Sequence, residues 1–314
     1  MDVTQFYRSI WRIRRVEQEI ARLYPSDKIM SPIHLSIGQE PVAVGVCAAM
    51  AAEDVVFGTY RSHAMYLAKG GDLRKMMAEL YGKVTGCARG KGGSMHLIDV
   101  EHNVMGASAV VGTTLPQAVG YAFAIKARKQ KRIVVCFFGE GATEEGVFYE
   151  SLQFAALKKL PIIFVCENNH YAIHSRFHDR HVNVDICKRA EAFGMPAERI
   201  EDNDVVEIHR GVEAARRQMV ENGAGPFFFE CMTYRWNEHV GPGTDWHLNY
   251  RDESELKKWR ENDPALTLGR KISPALKARI DAEIEAEIEE AIAYAESSPF
   301  PDIAELATDV FAES

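Results

Sequence analysis

From Phe6 to Leu23 the apolar residues Phe6, Ile10, Ile13, Val16, Ile20 and Leu23 recur at steps of three and four. That is the spacing of one helix face, and it predicts an N-terminal helix over residues 3–24. Pro41 in "SIGQEPVAVGVCAAM" suits the first turn of a short apolar helix. Asp72 can cap the helix "LRKMMAELYG". Two stretches lack periodicity and read as loops: "FGTYRSHAMYLAKGGD" and the glycine-rich "TGCARGKGGSMHLIDVEHNVMGASAVVGTT". A loop as long as the second, inside a compact chain, points to function or disorder.

From Leu115 the pattern becomes an alternation. A small-residue helix "LPQAVGYAFAIKARK" precedes the strand "RIVVCFF", the helix "GVFYESLQFAALKK" and the strand "PIIFVCE". Helices around residues 185–193 and 204–221, then the strand "PFFFECMTYR", continue it, and "SPALKARIDAEIEAEIEEAIAYAESS" reads as a helical tail over 273–297. Strands apolar on both faces and separated by helices imply an α/β fold, a mostly parallel sheet with helices on both faces. Ligands of such sheets bind beyond the carboxyl ends of the strands, here after Phe138, Val165 and Tyr234.

Composition narrows the function without naming it. The chain has 314 residues, 46% of them apolar and 26% charged, enough for a large core in one domain spanning 1–314 with the two terminal helices as extensions. A net charge of −8 argues against a nucleic-acid groove. The cluster Arg12, Arg14, Arg15 sits among the periodic apolar positions, so it reads as a solvated or interface face of the helix. The six cysteines show no metal-ligand spacing, and Cys136, Cys166 and Cys231 lie within apolar strands as small hydrophobes. With no apolar leader in "MDVTQFYRSI" and no stretch near the roughly 20 apolar residues that span a bilayer, a cytoplasmic location is expected.

The chemistry gathers at three strand ends: "GEGATEEG", "ENNHYAIHS" and "YRWNEHVGPGTD". Glycines 139 and 141 permit a tight turn, and amides opening the next helix attract an anion. Glu140 would face that anion unfavourably unless a cation stood between them. A hard divalent ion such as Mg²⁺ bridges carboxylate to phosphate in this way, and Asn169 offers it a carboxamide oxygen. Taken singly, each feature has a plainer reading: Gly-Glu-Gly as a surface turn, Asn168 and Asn169 as a helix cap or Asx turn. A dinucleotide fingerprint fits poorly, because Glu144 stands where its third glycine belongs.

Taken together, "GEGATEEGVFYESLQFAALKKLPIIFVCENNHYAIHS" resembles the thiamine diphosphate motif, which opens with Gly-Asp-Gly or Gly-Glu-Gly and closes on paired asparagines. The chain is similar over nearly its whole length to the alpha subunits of the two-chain 2-oxo acid dehydrogenases, the pyruvate, acetoin and branched-chain types. "ARGKGGSMHL", "GTTLPQAVGYAFA", "TYRWNEH" and "SSPFPDIAEL" extend the likeness. The resemblance implies a thiamine diphosphate-binding fold of the pyrophosphate type. Glu140, Asn169 and the Tyr171 carbonyl would be Mg²⁺ ligands. Gly141 and Ala142 would present amides to the diphosphate, and Tyr60 and Arg61 would reach it too, a task suited to a guanidinium fork. Val111 would be the apolar wedge that keeps the cofactor bent, with Ala109 making a backbone contact to its pyrimidine. His239 would contact the cofactor and handle protons, as an imidazole of ordinary pKa about 6.5 can. His63 matches a histidine beside the substrate in the pyruvate type.

The same resemblance implies a 2-oxo acid or acetoin substrate, cleavage with transfer of the acyl group to a lipoyl carrier on an acyltransferase partner, and a beta chain that completes the active site in an alpha2beta2 heterotetramer. Departures from the family pattern leave other readings open. Glu140 matches the branched-chain members and His63 the pyruvate type. The loop "VGPGTDWHLNYR" stands where relatives carry a serine-rich segment, so regulation there by phosphorylation is not expected. A thiamine diphosphate-dependent carboligase or transketolase-like enzyme of specialised metabolism, and a non-catalytic structural subunit, are the alternatives.

Overall fold

The computed structural model describes residues 1–308 and 310. The chain opens with α1 (Val3–Leu23), α2 (Glu40–Ala48), β1 (Val55–Thr59), α3 (His63–Ala68), α4 (Leu73–Leu80) and β2 (Val104–Ser108). It continues through α5 (Thr114–Ala127), β3 (Val134–Gly139), α6 (Gly146–Lys158), β4 (Ile162–Asn168), the small hairpin β5 (Tyr171–Ala172) and β6 (Ser175–Arg176), then α7 (Phe177–Arg180) and α8 (Ile186–Glu191). It ends with β7 (Ala197–Ile200), α9 (Val205–Asn222), β8 (Phe227–Met232), α10 (Glu253–Glu261), α11 (Pro264–Gly269) and α12 (Pro274–Ser297).

Six strands pair in the order β2-β1-β3-β4-β8-β7, every pair parallel. Alternation along the strands divides the core. Val56, Val135, Phe137, Ile163, Val165 and Phe229 face the layer that holds α1, α2, α4, α9 and α12, while Val55, Val134, Cys136, Phe138, Phe164 and Phe228 face α5, α6 and α8. Burial on both faces explains why the strands read as unbroken apolar runs. From β1 the chain passes to β2 on one side and then to β3 on the other, so the order reverses at β1. A crevice opens at such a reversal.

The helices on the first face bring polar groups toward that crevice. An Asp2–Gln5 capping box starts α1, whose buried stripe includes Arg14 and Glu17 as well as the predicted apolar residues. Arg14 bridges Glu40 and Asp263, and its guanidinium lies 4.1 Å from the Trp236 ring. The basic face of α1 is an interface with α12: Arg8, Arg12 and Arg15 pair with Glu283, Glu287 and Glu285. Asp72 caps α4 as the sequence predicts. Gly45 lets α2 approach α9 closely, since a Cβ there would stand 2.8 Å from Ile208.

Two expectations need correction. "FGTYRSHAMYLAKGGD" is not a loop: it holds the end of β1 and all of α3, and Gly58 within the strand leaves room for the Met65 side chain. The glycine-rich stretch contains the edge strand β2, short and half-covered, which gave no period to detect. Its remainder winds around one carboxylate. Glu79 on α4 accepts from the amides of Ala88 and Gly90 at Oε2 (2.8 and 2.9 Å) and of Gly92 and Gly93 at Oε1 (2.7 and 3.0 Å). Among the described residues no helix is long and apolar enough to cross a membrane.

Replacing Glu79 with alanine removes the acceptor of four amides at once. The expected cost is about 2–4 kcal/mol in chemical denaturation, with faster proteolysis inside residues 85–103. Unchanged stability and cleavage would show that the loop holds itself.

Candidate active site

Beyond the carboxyl ends of β1, β2, β3 and β4 lies a cavity of about 250 Å³. The last register pair of β3 and β4 is Gly139 with Glu167, so Glu140 leaves one strand beside Asn168 and Asn169 leaving the other. Glu140 opens a 3-10 turn, and the Thr143 hydroxyl donates to its carbonyl at 2.7 Å. The residue Glu140 is 1% exposed. Burial pushes the Glu140 carboxyl up to about 7, and the nearby Arg180 guanidinium, 3.1 Å from Oε1, works against that rise.

The two asparagines have separate tasks. Asn168 turns away from the cavity, donating to Glu230 at 2.7 Å. Asn169 lines the cavity, donating through Nδ2 to Gln39 Oε1 at 2.9 Å and accepting from the Tyr171 amide at 3.2 Å. An amide N–H can only donate, so this pair of contacts fixes which side of the carboxamide carries oxygen. The turn into Gln39 is held by Glu40, which accepts from the Gly38 amide at 2.9 Å and is anchored by Arg14.

Arg61 enters from the end of β1 and is 7% exposed. Its guanidinium donates to two carbonyls, Leu35 at 2.7 Å and His239 at 3.1 Å, and among the described residues no carboxylate pairs with it. A buried cation with only carbonyl partners is costly unless an anion joins it. Above it three rings meet: His34 and Tyr60 at 4.4 Å, His34 and His239 at 5.2 Å, Tyr60 and His239 at 5.6 Å. The loop that carries His239 rests on segment 33–37 through Trp236 N to Ile37 O (3.0 Å) and Gly241 N to Ile33 O (2.8 Å). Burial, then the Arg61 charge, depress both imidazoles to about 3. These surroundings hold His239 in its neutral form well below the ordinary imidazole range.

Of the residues singled out in the sequence, Tyr60, Arg61, Val111, Glu140, Gly141, Ala142, Asn169, Tyr171 and His239 line the one cavity. Ala109 lies between two lining residues, Ser108 and Val110, without joining them. His63 is fully buried away from the cavity, with Nδ1 3.2 Å from Glu17 and Nε2 2.7 Å from Ser94. Sequence reasoning missed Gln39, His34, Arg180 and Glu167. Glu167 did leave a signal, a carboxylate at the end of an otherwise apolar buried strand. Its carboxyl is pushed up to about 7 by burial.

Oxygen donors from a carboxylate and an oriented carboxamide, with a buried guanidinium across the cavity, fit a hard divalent cation and the phosphate it carries. The residues present thus suit a metal-bridged diphosphate. The fold agrees. A transketolase from Campylobacter jejuni superposes with a TM-score of 0.61 at 18% identity, over 95% of this chain and 49% of that one, so the architecture is that of the transketolase-type enzymes. The sequence comparisons are more specific. The family model described as dehydrogenase E1 component matches residues 8–304. The alpha subunit of acetoin:2,6-dichlorophenolindophenol oxidoreductase from Bacillus subtilis (strain 168) is 36% identical over 97% of this chain and 92% of its own. The pyruvate dehydrogenase E1 component alpha subunit of Porphyra purpurea is 37% identical over 96% and 90%. The chain belongs to the dehydrogenase E1 component family, and the relatives it resembles there are alpha subunits of oxidoreductases.

The depressed imidazoles give a pH signature. Folded His34 and His239 refuse protons that the unfolded chain binds below about 6.5, so their contribution to stability is complete above that pH and declines as pH falls toward 3. Ring nitrogen shifts of His239 should show a neutral imidazole between about pH 5 and 8. Arg61→Gln removes a repelling charge and should raise the His239 midpoint. A parent protein whose His239 titrates near 6.5 would contradict this site.

Proposed function

We propose that this chain is the alpha subunit of a 2-oxo acid or acetoin dehydrogenase whose cavity holds Mg²⁺ and the diphosphate of thiamine diphosphate. The observation that carries the reading is that two buried side chains of opposite charge line one cavity, the Glu140 carboxylate and the Arg61 guanidinium. Glu140, Asn169 and the Tyr171 carbonyl would hold the ion. Arg61, Tyr60 and the amides of Gly141 and Ala142 would hold the diphosphate. Bound there, the cofactor supplies an electron sink for breaking the bond next to a substrate ketone. His239, kept neutral, offers a ring nitrogen that accepts a hydrogen bond without carrying a charge into the site. Val111, at the cavity mouth, presents an apolar surface for the cofactor to bend over. The acyl group would pass to a lipoyl carrier.

Support for a beta chain comes from the surface. Val110 and Val111 at the rim, Phe123 on α5, and Tyr149, Phe154 and Leu157 on α6 are exposed. Phe123 and Phe154 stack edge to face at 5.8 Å. An apolar face of this kind suits a permanent partner that closes the site, in an alpha2beta2 assembly. All six cysteines are unpaired, which supports a reducing compartment.

Glu140→Ala should weaken Mg²⁺-dependent uptake of thiamine diphosphate by at least about 100-fold in calorimetry while leaving the circular dichroism spectrum intact, because it removes the charged ligand and little packing. Unchanged cofactor affinity would refute the metal site. Phe154→Asp combined with Leu157→Asp should abolish copurification with the beta chain without unfolding the alpha chain; retained association would move the interface elsewhere. Offering lipoyl domain and aldehyde in parallel tests the reaction. Transfer to aldehyde alone would replace the dehydrogenase reading with a carboligase.

A further inference from the structure

The cation that meets Glu140 in this structure comes from an unforeseen place. Arg180, the last residue of α7, sends Nη2 to Glu140 Oε1 at 3.1 Å and Nη1 to Glu144. Its guanidinium thereby bridges a carboxylate in the cavity floor and one at the rim. Both arms of the bridge line the cavity, as does Arg180 itself. Glu144 has a further neighbour in His181, 3.2 Å away. The base of the segment is fixed: Phe177 is buried, and its amide donates to the His170 carbonyl at 2.8 Å. Arg189 holds the far side, donating to Thr143 Oγ1 at 3.0 Å and to the Asn183 carbonyl at 3.1 Å. Between these anchors Arg180 Nε donates to the Arg176 carbonyl at 3.3 Å, so the Nη2 arm can change partner while Nε and Glu144 keep hold of the side chain.

A divalent ion on Glu140 would stand beside this guanidinium, and like charges at such a separation repel. Counting the three side chains at the seat, Glu140, Glu144 and Arg180 carry a net charge of about −1 when all are ionised; without Arg180 it is about −2. Arg180 therefore opposes a bare metal ion. A diphosphate carried by that ion reverses the sign, because its oxygens offer the guanidinium a new bidentate partner.

We infer that Arg180 is an exchange residue of the site: it occupies Glu140 until metal and diphosphate arrive together, then yields the carboxylate to the ion and turns its guanidinium to the diphosphate. The pair of ligands is thus selected over either alone. The inference rests on the reading of the cavity as an ion and diphosphate site.

The test uses the full chain, Mn²⁺ as the metal and inorganic pyrophosphate as the anion. Free Mn²⁺ is followed by electron paramagnetic resonance, and pyrophosphate by calorimetry at saturating Mn²⁺. Arg180→Gln should bind Mn²⁺ alone about 10-fold more tightly and pyrophosphate about 10-fold more weakly. Arg180→Lys, which keeps the charge and loses the fork, should leave Mn²⁺ affinity near the parent value while still weakening pyrophosphate. Opposite movement of the two affinities is the signature that a simple loss of fold does not give. Affinities that move together, or neither by more than about 2-fold, overturn the exchange while leaving the site itself intact. A parent protein that binds no Mn²⁺ and pyrophosphate, with Glu140→Ala no different, overturns both readings.

Discussion

A carboxylate sealed at the carboxyl end of a parallel sheet is tolerable only beside positive charge, and Glu140 is that carboxylate. Desolvation of a lone ionised acid costs far more than one hydrogen bond returns. The structure meets the demand from two directions. Arg180 reaches Glu140 from the α7 segment and the Arg235 charge adds to it, while Arg61 lines the same cavity without touching the carboxylate. The rest of the site is the scaffolding that keeps these charges in register: the parallel pairing of β3 with β4 sets Glu140 beside Asn169, and the reversal of strand order at β1 brings Arg61 opposite.

That scaffolding begins far from the cavity. α1 contributes Arg14, which clamps Glu40, and Glu40 fixes the turn that delivers Gln39 to Asn169. Glu17 on the same stripe accepts from the Ser36 amide at 2.8 Å and faces His63. Segment 33–39 is thus pinned from beneath by α1, and the loop carrying His239 lies on top of it. An apolar stripe interrupted by two buried charges is a helix that both packs and positions. Its other arginines, Arg8, Arg12 and Arg15, lean on the acids of α12, so the first and last helices share one face.

Much of this was legible in the sequence, for a definable reason. "GEGATEEG" and "ENNHYAIHS" end neighbouring strands, so their relation in space follows from the alternation of strand and helix alone. The central strands β3, β4 and β8 and the helices α5, α6 and α9 were visible because each is long and uniformly apolar or clearly periodic. The strands β1, β2 and β7 were not. "VVFGT" and "VMGAS" are five residues each with a glycine inside, and β7 is four residues with its middle exposed, too little for a period to emerge. Gln39, His34 and Arg180 escaped for another reason: each reaches its partner across a separation in sequence that no local pattern encodes. The same blindness covers His239, whose residue type was read and whose protonation was not, because burial beside Arg61 is a property of the fold.

One feature on the far side of the α1 layer shows how such a chain can change without refolding. Glu79 holds the glycine-rich loop by its amides alone. A hub that grips only the main chain does not read the side chains the loop displays, so the path of the ribbon is set separately from its outward chemistry. Glycine is required at position 86, where any side chain would strike the hub itself, and at 90, 92 and 93, where a Cβ would stand within 2.7 Å of neighbouring backbone or of Ser31. The loop is therefore a fixed mount with an exchangeable face.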